Sequence, residues 1–413
     1  MTGTPSANSQ AVIEAGQSAF LKNYAPAPVV LDRAQGARVW DADGNEFIDL
    51  GAGISVTSMG HCDPDLKAAA HEQLDKLWHV SNLYWTEPAV RLCEELVTAS
   101  GFAERAFLCN SGAEANEAAI KLARKWASQT RPPERREILT FEGGFHGRTL
   151  ATVTATAQPK YHEGFEPLPG GFVYCPFNDE EAVSAAVSDR TCAILVEPVQ
   201  GEGGIHPANP GFLAHLRKLC DEHDALLIVD EIQSGMGRTG KLFAHQWDEG
   251  VKPDVMTLAK ALGGGLPIGA MLAGRKVADV LQLGSHGSTF GGNPIACAVA
   301  RVVLKKMTEG AFSHRVAELG ERIVSRLKAF GEPRQLFADV RGRGLMIGAE
   351  LRDPLRGKAG DVGKVAAEHG LLVLSAGPDV VRLLPPLTIT DDELDAGLTR
   401  LETALSAVAD STS

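Results

Sequence analysis

The chain has 413 residues, room for two or three domains and a large core, and a formal charge of -12 from 52 acidic and 40 basic residues with no long block of like charge, which excludes a nucleic-acid-binding class of protein. Its seven cysteines, Cys62, Cys93, Cys109, Cys175, Cys192, Cys220 and Cys297, are scattered and never form a CxxC pair, the pattern of free thiols in a reducing compartment. No apolar run approaches the ~20 residues of a membrane span, and the opening MTGTPSANSQ lacks a charged n-region and an apolar h-region, with the first arginine only at Arg33, so the expectation is a cytoplasmic protein without a membrane partner.

Residues up to about 30 are small and polar, and GARVWDADGNEFIDL then alternates as two strands around a DADGNE turn. Residues 1–62 therefore form an arm or small sheet, expected to associate with the C-terminal part of the chain. Over 63–307, short apolar runs alternate with helical windows: AFLCN, REILTF, CAILVEP, ALLIVDE and DVMTLAK. That alternation predicts an α/β domain, a mostly parallel sheet flanked by helices on both faces. The interior stretch SQTRPPERR reads as surface, and a long helix starts near Pro294. Over 308–413, VRGRGLMIGAEL, LLVLSAG and VVRLLPPL read as strands among helices, and Thr390 with Glu393 predicts a capping box for the last helix. These residues form a smaller α+β domain.

In such sheets ligands bind beyond the carboxyl ends of the strands, and polar residues stand at several of those ends. Asn110 follows AFLC, Glu197 follows CAILV, Asp230 follows ALLIV, and Lys260 follows VMTLA and precedes Gly263–Gly265. Taken singly, each has an ordinary explanation as a cap, a loop anchor or a snorkelling lysine. Glu197 stays open between support of a site and simple loop anchoring. The segment NSGAEANEAAIKLARKWA adds a helix with Ala115, Ala118, Leu122 and Trp126 on one face and a Ser111/Glu114 capping box. Ser111, Gly112 and Ala113 at its start expose backbone N–H groups suited to a phosphate, although an ordinary capped helix looks the same. Neither GxxxxGK[ST] nor GxGxxG accompanies it, so nucleotide chemistry has no support.

A phosphate cradle, an acid on one strand end and an amine on another match the needs of pyridoxal 5'-phosphate. That cofactor requires an amine to condense with its aldehyde, an acid to keep its ring nitrogen protonated, and donors for its phosphate. No metal is called for.

The segments FLCNSGAEANEAAIKLARK, FHGRT, VEPVQGEGG, VDEIQSGMGRTG, AKALGGGLPIGAML and STFGGNP, in order from about Ala25 to Leu401, resemble the class III aminotransferases of the fold type I pyridoxal-phosphate enzymes. The resemblance implies that Lys260 binds the cofactor covalently and then moves a proton, and that Asp230 pairs with the ring nitrogen. It gives Gln233 to the ring hydroxyl, Phe145 to the ring face, and Ser111, Gly112 and Ala113 to the phosphate. It gives Thr289 to the phosphate of a neighbouring subunit, hence a homodimer with shared active sites. His61 and His146 are read as structural.

Two arginines bear on substrate. The guanidinium of Arg148 in FHGR and that of Arg382 in VVRLLPPL can each bind a carboxylate in a bidentate fork, and the resemblance pairs Arg382 with Glu202 of GEGG. Glu202 would neutralise Arg382 when the reacting carbon bears no carboxylate, and 2-oxoglutarate would displace it. ALGGGLPIGAML, GMGRTG and LSAGPDVVRLLPPL most resemble the members of the family that act on N-acetylornithine in arginine biosynthesis, some of which also take N-succinyl-diaminopimelate. Ile54 in GAGISV agrees, being apolar where ornithine-specific members tend to carry a tyrosine. The alternatives are a 4-aminobutyrate, succinylornithine or ornithine aminotransferase, an aminomutase of the glutamate-semialdehyde type, and a non-enzymatic α/β binding protein.

Overall fold

The computed structural model describes residues 5–309 and 312–412. Strands β1 (Leu31–Gln35), β2 (Arg38–Asp41) and β3 (Glu46–Asp49) form an antiparallel meander, with the DADGNE turn joining β2 to β3. Asp41 closes that turn by accepting from the N–H groups of Asp43 and Asn45 at 3.0 and 2.7 Å. β1 and the preceding Ala7–Ala19 helix were not expected. The helix has a weak apolar face and lies largely exposed, held by a Ser9 hydroxyl that donates to Asp43 at 2.8 Å.

The chain then lays down β4 (Ala103–Cys109), β5 (Glu137–Phe141), β6 (Phe172–Cys175) and β7 (Thr191–Val196). A two-stranded hairpin follows, β8 (Val199–Gln200) with β9 (His206–Pro207), and after it β10 (Leu226–Asp230), β11 (Val255–Leu258) and β12 (Gly269–Gly274). Without the hairpin these strands make one seven-stranded sheet in the order β4-β12-β11-β10-β7-β5-β6, and only β12 runs against its neighbours. Every residue of β7, β10 and β11 is buried, as the unbroken apolar runs require of strands covered on both faces. The register sets Asp230 beside Thr257, bringing the carboxyl ends of β10 and β11 level, with Lys260 just beyond.

The C-terminal part supplies β13 (Phe337–Arg343), β14 (Met346–Leu351), β15 (Leu371–Leu372), β16 (Leu374–Ala376) and β17 (Val380–Leu383). Four of them form a sheet in the order β13-β14-β17-β16, while β15 pairs in parallel with β3 and completes the N-terminal sheet. Ile48 and Leu50 from the N-terminal meander, Val303 from the Pro294–Glu309 helix, and Leu383 and Leu401 from the C-terminal part share one apolar core with Met256 of β11. The last helix, Asp391–Thr412, carries the expected capping box: Glu393 N–H donates to Thr390 Oγ1 at 3.2 Å and Thr390 N–H to Glu393 Oε2 at 3.1 Å.

One local expectation is corrected. Ser111 accepts from Glu114 N–H at 3.2 Å, but the Glu114 carboxylate takes the N–H of Asn110 at 2.5 Å, so this box closes one residue early. SQTRPPERR lies at the surface as expected, with the Arg131 side chain, 3% exposed, folded back to stack 4.5 Å from the Trp126 ring and pair with Asp224 at 2.9 Å. Among the described residues no helix is long and apolar enough to cross a membrane.

Candidate active site

A cavity of 440 Å³ opens at the carboxyl ends of β10 and β11, and its wall includes Asn110, Ser111, Gly112, Ala113, Phe145, Arg148, Glu197, Asp230, Gln233 and Lys260. These sequence candidates thus converge from five separate segments on one crevice. A larger cavity of 1080 Å³, bounded by the Pro64–Leu74, Glu87–Ser100 and Pro294–Glu309 helices, contains none of them.

Lys260 has φ +45°, a left-handed conformation that is costly for a side-chain-bearing residue and marks a position held by its surroundings. Burial lowers the pKa of its amine, and the positive Arg382 adds to that, while Glu202, Glu197 and Asp230 oppose it. The neutral amine, the nucleophilic and basic form, is thereby favoured.

Asp230, 3% exposed, is held by three donors. Asn116 Nδ2 and His146 Nδ1 reach Oδ2 at 2.7 and 2.8 Å, and Ile232 N–H reaches Oδ1 at 3.0 Å. Burial alone would depress the pKa of His146, but its hydrogen bond to Asp230 and the charges of Asp230 and Glu197 raise it, favouring an imidazolium against the carboxylate. Glu197 is pushed up to about 7, first by burial and then by Asp230, with His146 pulling the other way. Its carboxylate accepts from Phe145 N–H at 2.9 Å and Gly201 N–H at 3.2 Å, so it anchors two loops while lining the cavity.

The Gly112–Thr130 helix points its first N–H groups into the cavity from Ser111–Ala113. A Cβ on Gly112 would lie 2.8 Å from Ile232, and one on Gly269 only 2.5 Å from the Ser111 carbonyl, so the cradle is closely backed by β12 and the turn after β10. Gln233 Oε1 is buried without a hydrogen-bond partner. Phe145 meets Tyr161 edge-on at 6.0 Å, and the Arg148 guanidinium lies 3.9 Å over the Tyr161 ring with no carboxylate of the described residues paired to it.

Arg382, in the middle of β17 opposite Gly348, forms an ion pair with Glu202, which the β8–β9 hairpin presents. Burial raises the Glu202 pKa, yet Arg382, then Lys260 and Gln233, bring it below the ordinary carboxylate range. The charges of both members of the pair are felt at the Lys260 amine.

Ile54, Glu202, Thr289 and Arg382 are not part of this wall within one chain. Ile54, at φ +61°, is 40% exposed, and its neighbour Val56 lines the cavity instead. Thr289 is exposed on a loop whose Ser288 hydroxyl accepts from Asn110 Nδ2 at 3.1 Å. His61 pairs with Asp49 at 2.8 Å, whereas His146, read as structural, sits directly on Asp230. Asn116, Thr257 and Tyr161 were overlooked. An amide on the buried side of an otherwise apolar helix was the available signal for Asn116.

The residues present suit pyridoxal phosphate: an orphaned acceptor at Gln233 for a hydroxyl, a helix N-terminus for a phosphate, a fixed acid at Asp230 and a deprotonation-prone amine at Lys260. Comparison with known proteins agrees. The family model described as aminotransferase class-III matches residues 19–405. An acetylornithine aminotransferase of Xanthomonas campestris is 60% identical over 94% of this chain and 95% of its own length. A succinylornithine transaminase/acetylornithine aminotransferase of Pseudomonas aeruginosa is 51% identical over 94% of this chain and 95% of its own. The crystal structure of N-acetylornithine aminotransferase from Stenotrophomonas maltophilia superposes with a TM-score of 0.85 at 50% identity, covering 97% of this chain and all (100%) of that one. The crevice at the strand ends therefore belongs to an enzyme, and the chain is a member of the class III aminotransferases, which depend on pyridoxal phosphate.

Proposed function

We propose that the chain moves the terminal amine of N2-acetylornithine to 2-oxoglutarate in a ping-pong reaction of arginine biosynthesis in the cytoplasm. Bound pyridoxal phosphate supplies the electron sink that stabilises negative charge on the substrate carbon. Lys260 Nζ would hold the cofactor and then, freed by substrate, take the proton from the carbon bearing the amine. Asp230, held in place by Asn116 and His146, would pair with the ring nitrogen. Gln233 would accept from the ring hydroxyl, Phe145 would cover the ring face, and Ser111, Gly112 and Ala113 would donate to the phosphate.

The observation that carries the substrate assignment is the Glu202–Arg382 ion pair, whose charges act on Lys260, together with an Arg148 that no carboxylate of the described residues pairs. With Glu202 on Arg382, the amine-bearing carbon needs no carboxylate, and Arg148 is free to bind the distant carboxylate of the donor. When 2-oxoglutarate enters, its α-carboxylate can replace Glu202. One pocket then serves both half-reactions. Ile54, apolar and two residues before Val56 of the cavity wall, suits an acylated α-amine better than a free one. The names of the relatives point the same way, and that of a Yersinia pestis enzyme 49% identical to this chain, acetylornithine/succinyldiaminopimelate aminotransferase, extends the reading to N-succinyl-diaminopimelate.

Thr289 is assigned to the phosphate of a second copy, which makes the working unit a homodimer. The exposure of Trp78, Tyr84, Trp85 and Phe290, at 64, 73, 93 and 62%, supports a covered face. A sedimentation mass near 43.8 kDa, that of one chain, would remove this part. The substrate assignment is tested by following the absorbance of the cofactor-loaded enzyme on adding N-acetylornithine, N-succinylornithine, ornithine or 4-aminobutyrate. The acylated donors should react fastest, and a spectrum unmoved by N-acetylornithine would refute it.

A further inference from the structure

We propose that Asn116 is a positioning residue of this reaction, its side-chain amide fixing the Asp230 carboxylate in register with the strand that leads to Lys260. The inference deepens the assignment of Asp230 to the cofactor's ring nitrogen and rests on it.

Asn116 lies in the first turns of the Gly112–Thr130 helix, whose other buried residues are Ala115, Ala118, Ala119, Ile120, Leu122, Ala123, Trp126 and Ala127. It is itself fully buried. A primary amide in such a setting is unfavourable unless its groups are bonded, and here all of them are. One Nδ2 proton goes to Asp230 Oδ2 at 2.7 Å and the other to the His146 carbonyl at 2.8 Å, while Oδ1 accepts from Thr257 Oγ1 at 2.8 Å.

Each partner belongs to a different part of the site. His146 follows Phe145 and donates to the same Asp230 oxygen. Thr257 faces Asp230 in the sheet and stands three residues before Lys260. Asn116 is on the helix whose start forms the phosphate cradle. One amide thus links the cradle, the Phe145 loop, β10 and β11. With Asn116, His146 and Ile232 as donors, three of the roughly four acceptor positions of the Asp230 carboxylate are taken. One remains for a donor in the cavity, in a direction set by the other three.

The side-chain type is narrowly defined. Asn116→Asp would set a carboxylate oxygen where a donor now lies 2.7 Å from Asp230 Oδ2. Asn116→Ala would leave Asp230 with two donors and Thr257 Oγ1 without its acceptor.

The test uses full-length protein stripped of cofactor. Pyridoxal 5'-phosphate is titrated back by tryptophan fluorescence, the half-reaction with glutamate is followed by absorbance, and apo-protein stability by urea denaturation. Asn116→Ala and Asn116→Asp are expected to weaken cofactor binding by about tenfold, the size of losing one charge-assisted hydrogen bond. The glutamate half-reaction should slow by at least as much, with glutamate affinity changed by less than about twofold. In an Asp230→Ala background, adding Asn116→Ala should change the cofactor dissociation constant no further, because the residue acts through Asp230. A full, additive loss in that background would overturn the proposal, as would unaltered binding and rate in the single variants. Should Asn116→Ala fail to fold, Asn116→Ser enters the same cycle with the same expectation. Wild-type protein that binds the cofactor and reacts with glutamate but not with N-acetylornithine would defeat the substrate assignment and leave this test intact; wild type that does not bind the cofactor would overturn both.

Discussion

The proposed substrate choice rests on one ion pair, Glu202 with Arg382. The Arg382 side chain is 3% exposed and that of Glu202 23%, so the arginine is the member that cannot be left bare. Breaking such a pair leaves a buried charge seeking another carboxylate. Glu202→Ala is therefore expected to favour donors that bring an α-carboxylate. The ratio of kcat/KM for N-acetylornithine to that for glutamate should fall by about tenfold or more, and a ratio unchanged from wild type would count against the switch. Arg382 Nε is also buried without a partner, so the guanidinium has a donor to spare for a second anion. The pairing itself was recognisable only from motif resemblance, since the two residues are separated by 180 positions.

At the scale of elements, the reactive groups owe their placement to what packs behind them. The β8–β9 hairpin that carries Glu202 is clamped by Arg341 of β13, which donates to the Gly204 carbonyl at 2.7 Å and to that of Ile205 at 3.0 Å, and pairs with Glu350 at 2.5 Å. The small sheet thus holds Glu202 from one strand and meets it with Arg382 from another. The Ser111–Ala113 helix start depends in the same way on β12, where Gly269 pairs with Cys109 and its missing side chain lets the Ser111 carbonyl approach. Gly269→Ala would put a methyl 2.5 Å from that backbone oxygen, which cannot swing aside. A loss of about 1–3 kcal/mol in urea denaturation is expected, the cost of overpacking a close contact, with weaker uptake of pyridoxal phosphate alongside. An unchanged midpoint would show that the backbone yields at no cost.

For the molecule as a whole, the buried Glu197 and His146 tie stability to pH. Glu197 titrates near 4.5 when unfolded and about 7 in the fold, so the folded chain holds the extra proton between those values. His146 is also shifted upward from 6.5, and its contribution is present below that value and lost as pH rises through its folded pKa. Both make the native state bind more protons than the unfolded one, so the unfolding free energy falls as pH rises. The urea midpoint of the apo-protein is expected to drop between about pH 5 and pH 7. Glu197→Gln should flatten that drop even though it loses one of the two loop-anchoring bonds, and an unaltered slope would exclude Glu197 as its source.

Asp230, Lys260 and the Ser111–Ala113 helix start were legible in the sequence because strand ends and capped helices are local features, marked by where an apolar run stops. The mostly parallel sheet was legible for the same reason, since continuous burial of β7, β10 and β11 leaves an unbroken apolar run in each. The Ala7–Ala19 helix was not, because exposed small residues carry no period. Nor could local pattern reveal that β15 completes the N-terminal sheet, that His146 touches Asp230, or that Asn116 bonds to three separate segments. Those contacts join residues far apart in the chain, and a buried amide or imidazole acquires its meaning only from the groups the fold places within hydrogen-bond distance.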